Sequence, residues 1–234
     1  MPVEGVERSG SRGAKGDGVV HHLRAAIRSG RYVPGQRMVE ADLTAELGVS
    51  RSLLRETFRR LAAEGLVEIV PNRGALVRRL SLRETMELFE IRLELEALAA
   101  RLAAEKAVDR AVRLRFEDDV SAIWAVEPRL STSAYLAENE RFHAALFTAS
   151  GNGQLGVLNR QMQLSLIMAQ ISASLTPEVM ARSLAEHRAI ATAVLDGDAP
   201  AADAGARAHL SRARDFVAGM PDDVFRSETT GGVG

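Results

Sequence analysis

Residues 40–64 read EADLTAELGVSRSLLRETFRRLAAE, and the folding of this stretch decides the architecture of the chain. Leu43 and Leu47 lie four apart, which gives a first helix one apolar stripe. Gly48 suits the left-handed conformation that ends a helix, Val49 can plug the corner, and Ser50 is a good N-cap for a second helix. Set out at 100° per residue, Leu54, Phe58 and Leu61 share one arc, the buried one. Ser52, Arg55 and Arg59 fall on a different arc, with Arg51 at its edge in the first turn. A helix with a dry side and an arginine side, braced by a preceding helix, fits the major groove of double-stranded DNA. Arginine on a wet helix face often serves only solvation, so the flanking sequence has to decide.

Working outward, Gly65 closes the second helix and Leu66 to Val70 has the look of a short strand. Pro71-Asn72-Arg73-Gly74 is turn material, and Ala75 to Val77 resumes the strand pattern. Two strands round a basic turn make a wing, in which Gly74 lets the backbone and Arg73 approach a phosphate or a minor groove. Upstream, Val19, Leu23, Ala26 and Ile27 share a face, predicting a helix over Val19–Ser29 that Gly30 ends. His21 and His22 lie on it as surface or packing residues, and Pro34-Gly35 is a strong turn pair. Residues 1–17, rich in glycine and charge, read as a flexible leader.

The chain has 234 residues, 46% hydrophobic and 26% charged, an ordinary soluble composition with room for two modest domains. There is no cysteine, which excludes disulfides and thiolate metal sites. No apolar run approaches a membrane span and the N-terminus lacks a signal-peptide core, so the expected location is cytoplasmic. The net charge of −1 conceals an asymmetry. Residues 1–80 hold 14 basic against 9 acidic side chains, leaving 30 − 14 = 16 basic against 31 − 9 = 22 acidic in the remainder. A polyanion-binding head on an acidic body has this distribution.

After Ser81 the pattern is helical nearly throughout. The expected helices run Leu82 to about Lys106, about Arg110 to Val126, about Ser133 to Ser150, and Gln154 to about Ala173. A fifth runs from the Thr176-Pro177-Glu178 cap to Leu195, and a sixth from Pro200 to near Gly219. On the first of these, Leu88, Ile91, Leu95, Leu98 and Leu102 recur at helical spacing as the inward stripe. The fold class is therefore mostly α: a winged helix-turn-helix over 18–80, an antiparallel six-helix bundle over 81–221, and a flexible tail over 222–234. Facing helices of a bundle can build a pocket.

His143, His187 and His209 lie on the third, fifth and sixth bundle helices, each with apolar neighbours at helical spacing. A single histidine of this kind is most often a core residue with a hydrogen-bond partner. Three on separate inward-facing helices can meet at one point and hold a divalent metal. Asn139, four residues before His143, places its amide oxygen on the same face.

Taken jointly, Tyr32-Val33-Pro34-Gly35, LTAELGVSRSLLR over 43–55, LAAEGLV over 61–67 and Asn72-Arg73-Gly74 resemble the winged-helix reader of the GntR family of bacterial transcription regulators. The resemblance implies DNA contacts by Arg51, Ser52 and Arg55 and a groove approach at Gly74. Ala41 stands where some relatives carry a further DNA-contacting arginine, so no operator sequence transfers. The bundle resembles the FCD-type effector domain, through Asn139-Glu140-Arg141-Phe142-His143, Glu186-His187-Arg188-Ala189-Ile190 and Ala208-His209-Leu210. That resemblance implies a zinc or nickel site formed by Asn139, His143, His187 and His209. Asn139 replaces the aspartate of many members, which removes one negative charge and predicts weaker or less selective metal binding. It also implies that Arg92, four residues before Glu96, helps hold a carboxylate effector. The other reading of Arg92 is a plain i,i+4 ion pair with Glu96.

The expected function is a homodimeric DNA-binding transcription regulator, a repressor by preference and not an enzyme. It would bind a palindromic double-stranded operator and sense a small organic, sugar or amino acid whose carboxylate completes the metal's coordination. Two alternatives stand beside it: a metal-dependent hydrolase, for which no general-base carboxylate is obviously placed, and a constitutive DNA-binding protein whose histidines only pack.

Overall fold

The computed structural model of the chain describes residues 8–71, 73–124, 131–162 and 164–227, with side chains from residue 16 onward. The chain divides into two compact units between Arg79 and Leu80.

The first unit contains α1 (Arg8–Arg28), β1 (Arg37–Met38), α2 (Glu40–Leu47), α3 (Arg51–Ala63), β2 (Val67–Val70) and β3 (Gly74–Val77). α2 stops at Gly48, whose φ of 62° is left-handed and whose N–H returns to the Thr44 carbonyl. Ser50 Oγ then accepts from Leu53 N–H at 3.3 Å and starts α3. α3 buries Leu54, Phe58 and Leu61, as the 100° spacing predicts, and also Thr57, whose hydroxyl donates to the Leu53 carbonyl at 3.0 Å. Burying apolar side chains of this size stabilises by about 1.5–3 kcal/mol each before entropy is charged.

α1 begins at Arg8, so residues 8–17 of the expected leader are helical, while residues 1–7 lie outside the described residues. Tertiary contacts carry this helix where periodicity did not. Val20, Leu23 and Ile27 are fully buried. Arg24 Nη2 pairs with Glu64 at 2.6 Å, and Arg60 Nη1 with Asp17 at 2.8 Å, tying α1 to the α3 segment.

The sheet order is β1-β3-β2, antiparallel throughout, with Met38 opposite Ala75 and Val70 opposite Gly74. β1 is a strand that two residues of pattern could not announce. Gly74 has φ 98°, and a Cβ there would lie 2.2 Å from the Met38 carbonyl oxygen. The glycine of the wing is thus demanded inside the sheet, where a side chain would collide with backbone. Asn72, within the wing turn, lies outside the described residues.

The second unit contains α4 (Leu82–Lys106), α5 (Arg110–Asp119), α6 (Thr132–Ala149), α7 (Gly153–Gln161), α8 (Leu164–Ile171), α9 (Pro177–Leu195) and α10 (Ala199–Ala218). It is all-α among the described residues, with seven helices where six were expected. The stretch expected as one helix over Gln154–Ala173 breaks at Met162, whose N–H bonds to the Asn159 carbonyl in a tighter i→i+3 turn. The helix expected to reach Val126 ends at Asp119 and continues as a 3₁₀ turn over Ser121–Trp124. Its proposed stop, Glu127-Pro128, lies outside the described residues.

α4 opens with a capping box: Ser81 Oγ accepts from Glu84 N–H at 3.1 Å, and Glu84 returns to the Ser81 N–H at 2.8 Å. Its buried face is not the leucine stripe. Ile91 is 49% exposed, and Leu95, Leu98 and Leu102 are only partly buried against a small satellite core with Phe147 and Leu155. The core face is Ala97, Ala100, Ala103 and Ala104, which pack in one cluster with Ala202 and Ala206 of α10 and with Phe116, Phe142, Ile190 and Val194. Small side chains allow close helix approach, so hydrophobicity alone misidentified the seam.

The tail expected over 222–234 is anchored in its described part. Phe225 is buried, and Arg226 N–H donates to the Leu80 carbonyl at 3.0 Å. Residues 228–234 lie outside the described residues. No described helix is long and apolar enough to cross a membrane.

Candidate functional site

The face expected from the sequence to read DNA is α3 with the wing turn. Arg51, Ser52, Arg55, Arg59 and Arg73 are all exposed, the four on α3 sharing its solvent side, whereas Gly74 is buried in the sheet. Arg55 Nε meets both carboxylate oxygens of Glu40 at 3.0 and 3.1 Å. Arg59 Nη1 pairs with Glu56 at 2.9 Å, and Ser52 Oγ lies 3.1 Å from Ser50 Oγ. Exposed ion pairs of this type are worth about 0.2–1 kcal/mol, so they hold a rotamer without holding it against a phosphate or a guanine. Glu40 escaped the sequence reading because an acid in the first turn of a helix already has a use, complementing the helix dipole.

The second unit brings its three histidines together. His143 from α6, His187 from α9 and His209 from α10 are all buried, and one ring nitrogen from each lies within 4.8 Å of the others. His187 Nε2 and His209 Nε2 are 3.3 Å apart. Two nitrogens on one tetrahedral zinc with bonds of about 2.1 Å stand about 3.4 Å apart, so this spacing fits a shared ion. Phe142 stacks on the His187 ring, centroids 4.1 Å apart and planes 18° from parallel, which holds its plane. Asn139, one turn before His143, is buried and lines the same cleft.

Two carboxylates stand behind the rings. Glu186 Oε2 is 2.8 Å from His209 Nδ1. Glu96 Oε2 lies against His143 Nδ1, in close contact but off the hydrogen-bond line. With Nδ1 of both rings facing a carboxylate, Nε2 is left to face a metal, the arrangement in which outer carboxylates fix histidine ligands. The donor chemistry therefore fits a divalent ion. Burial alone would push the Glu96 carboxyl up, but the charges of His143 and Arg92 outweigh it and hold the group well below the usual carboxylate range. Burial likewise opposes ionisation of Glu186, yet hydrogen bonds from His209 and Arg212 bring it down to about 2. His209 is lowered, chiefly by burial and against the pull of Glu186, which favours the neutral ring a metal needs.

Arg92 is buried in α4 and pairs with Glu96 through Nε at 3.0 Å and Nη2 at 2.7 Å. The two readings of this residue are thus not exclusive: the i,i+4 pair exists, and Arg92 also lines the cleft beside His143, His209 and Asn139. The enclosed part of the cleft is small, about 40 Å³, and it opens to solvent at its mouth. Glu96 and Glu186 were visible in the sequence only as acids spaced four from a basic residue and beside a histidine. Nothing in spacing separates such acids from surface pairs. Glu140, next to Asn139, accepts from the Ser165 hydroxyl at 3.1 Å.

Comparison with known proteins follows the same division. Residues 15–77 match the family described as bacterial regulatory proteins, gntR family, and residues 87–212 match the FCD domain. An HTH-type transcriptional regulator of Streptomyces ambofaciens is 31% identical over 212 residues, spanning 83% of this chain and 81% of its own length. The probable D-xylose utilization operon transcriptional repressor of Paenarthrobacter nicotinovorans is 31% identical over 186 residues, spanning 79% of this chain and 80% of its own. A crystal structure of a GntR transcriptional regulator from a Rhodococcus species superposes with a TM-score of 0.73 over 89% of this chain and 99% of that one, at 24% identity, a likeness of fold.

Proposed function

We propose, because this chain belongs to the GntR family of bacterial regulatory proteins and is a transcriptional regulator with an FCD domain, that a small carboxylate held at a divalent metal in the helical unit controls how tightly the winged helix holds its operator. The observation that carries the ligand half is the convergence of His143, His187 and His209, two of them backed by Glu96 and Glu186, beside a cleft lined by His143, His209, Asn139 and Arg92.

His143, His187 and His209 would hold the ion through Nε2, with Asn139 as a neutral oxygen donor, and zinc or nickel suits such a nitrogen-rich set. When bound, the ion supplies a positive centre for a carboxylate. Arg92 places a second cation at the same wall, with Nε and Nη2 fixed by Glu96, so a ligand oxygen would meet Nη1. Glu96 and Glu186 stand one imidazole ring further out, each balanced by Arg92 or Arg212, and would orient the rings without replacing the charge missing at Asn139.

In the reader, Arg51, Ser52, Arg55 and Arg59 would enter the major groove, while Arg73 reaches a phosphate or the minor groove from the wing. A homodimer presents two such faces, which calls for a palindromic operator with half-sites spaced by whole helical turns, about 34–36 Å for one turn. Binding of the acid would favour one arrangement of the dimer and so change DNA affinity, to the extent that it binds the two arrangements differently. We favour operator release on ligand binding, in keeping with a relative named as a repressor. The hydrolase alternative is set aside, since the family and its relatives are transcriptional regulators and not enzymes.

The test is to purify the chain without added metal, measure bound metals, and follow operator binding by fluorescence anisotropy against a panel of carboxylic acids. Near one metal per chain, lost in His187→Ala and His209→Ala, with acid-dependent operator release, is the expected result. Operator binding that ignores both chelator and every acid would leave only the constitutive reading.

A further inference from the structure

We infer that the acid taken by this cleft is a monocarboxylate with an apolar body, not a polyhydroxylated or dicarboxylic acid; the inference rests on the cleft being the effector site. Among the described residues its polar groups cluster at one end of an otherwise apolar wall. Arg92, Asn139, His143 and His209 gather where a carboxylate would be held. Tyr135, also on the wall, donates its hydroxyl proton to Ser183 Oγ at 2.9 Å. Arg212 gives Nε and Nη2 to Glu186, as Arg92 gives the same atoms to Glu96. The remaining wall is built from side chains such as Phe89, Met168, Leu175, Val179, Leu210 and Phe216.

A ligand with one anionic end finds both of its needs here. The charge meets cationic and amide groups, and the rest of the molecule displaces water from aliphatic and aromatic surface. A row of hydroxyls would leave water for a wall made mostly of aliphatic and aromatic side chains, and a second carboxylate would meet Arg212 with its charge already balanced by Glu186. The discrimination comes from what the wall lacks, and it falls on the body of the ligand, not on its carboxylate.

The experiment uses the zinc-loaded full chain, with metal content measured first, and titrates hexanoate, phenylacetate, gluconate and adipate by calorimetry. Hexanoate or phenylacetate is expected to bind at least about tenfold more tightly than gluconate or adipate, within the range an apolar pocket achieves against added polar groups. Val179→Thr, close in size, should weaken hexanoate binding severalfold while leaving zinc content unchanged. Tighter binding of gluconate or adipate would overturn the inference and leave a carboxylate effector standing. Hexanoate affinity indifferent to Val179→Thr would overturn its placement against this wall. Absence of binding by all four acids to zinc-loaded protein would overturn the inference together with the effector reading.

Discussion

Each unit carries an arginine–glutamate pair at its candidate site, and the two pairs differ in the water around them. Arg55 and Glu40 have side chains 53% and 20% exposed, while Arg92 and Glu96 stand at 3% and 1%. The exposed pair gains little because water screens it, so on the proposed reading Arg55 would exchange Glu40 for a guanine or a phosphate at small cost. The buried pair cannot open without stranding a charge in a medium that solvates it poorly. The same chemistry is thus easily opened on α3 and costly to open on α4. A residue that must move to function sits in water, and one that must hold other groups still sits out of it.

The sharpest way to break this contrast is Glu96→Ala. Removing one partner of a buried pair is expected to destabilise the helical unit by about 3–5 kcal/mol, whereas Glu40→Ala should change the stability of the first unit by less than about 1 kcal/mol. Urea denaturation followed by circular dichroism measures both, and equal losses would show that burial is not what separates them. If Glu96→Ala does not fold, the double change Arg92→Met with Glu96→Leu should recover much of the stability. Next in size is Arg55→Ala, expected to cost about 1–3 kcal/mol of operator binding while leaving the melting temperature unchanged. Retention of full affinity at moderate salt would remove Arg55 from the reading face.

Glu186→Gln should keep the fold and lower metal affinity by about 10–100-fold, since the amide cannot draw the proton of His209 Nδ1 as a carboxylate does. Competition with a chromophoric chelator reads this directly, and an unchanged affinity would make Glu186 a partner of Arg212 alone. The smallest effect belongs to Glu40→Gln: stability unchanged, and a few-fold shift in the ratio of operator to non-specific binding, because the pair restricts where Arg55 points. A ratio that stays the same in gel-shift titrations would mean that Glu40 does not aim Arg55.

What was legible in the sequence follows from the same distinction between wet and dry. α3 could be read because one half of it is apolar and the other half is arginine, so its period is explicit. Thr176-Pro177 and Ser50 could be read because caps act locally. The core face of α4 could not, because alanine scores poorly as a hydrophobe yet packs well, while the more hydrophobic leucines of the same helix belong to a satellite cluster. α1 was underestimated at its start, since contacts forty residues away, Asp17 with Arg60 and Arg24 with Glu64, leave no mark on the helix's own period. The three histidines were identifiable as a set, but Glu96 and Glu186 behind them were not. An acid four residues from a base looks alike whether it faces solvent or a buried ring.

The alanine seam between α4 and α10 has a mechanical consequence. Side chains of one carbon have no rotamers to exchange, so this contact has no slack in which a small displacement could be absorbed. Any tilt of the helix carrying His209 must therefore travel with the helix carrying Arg92 and Glu96, whose first residue follows Ser81 directly after the junction of the two units. Slow amide exchange with a common opening rate along both helices is the sign of such a rigid pair, and independent opening would show a joint where we see a weld.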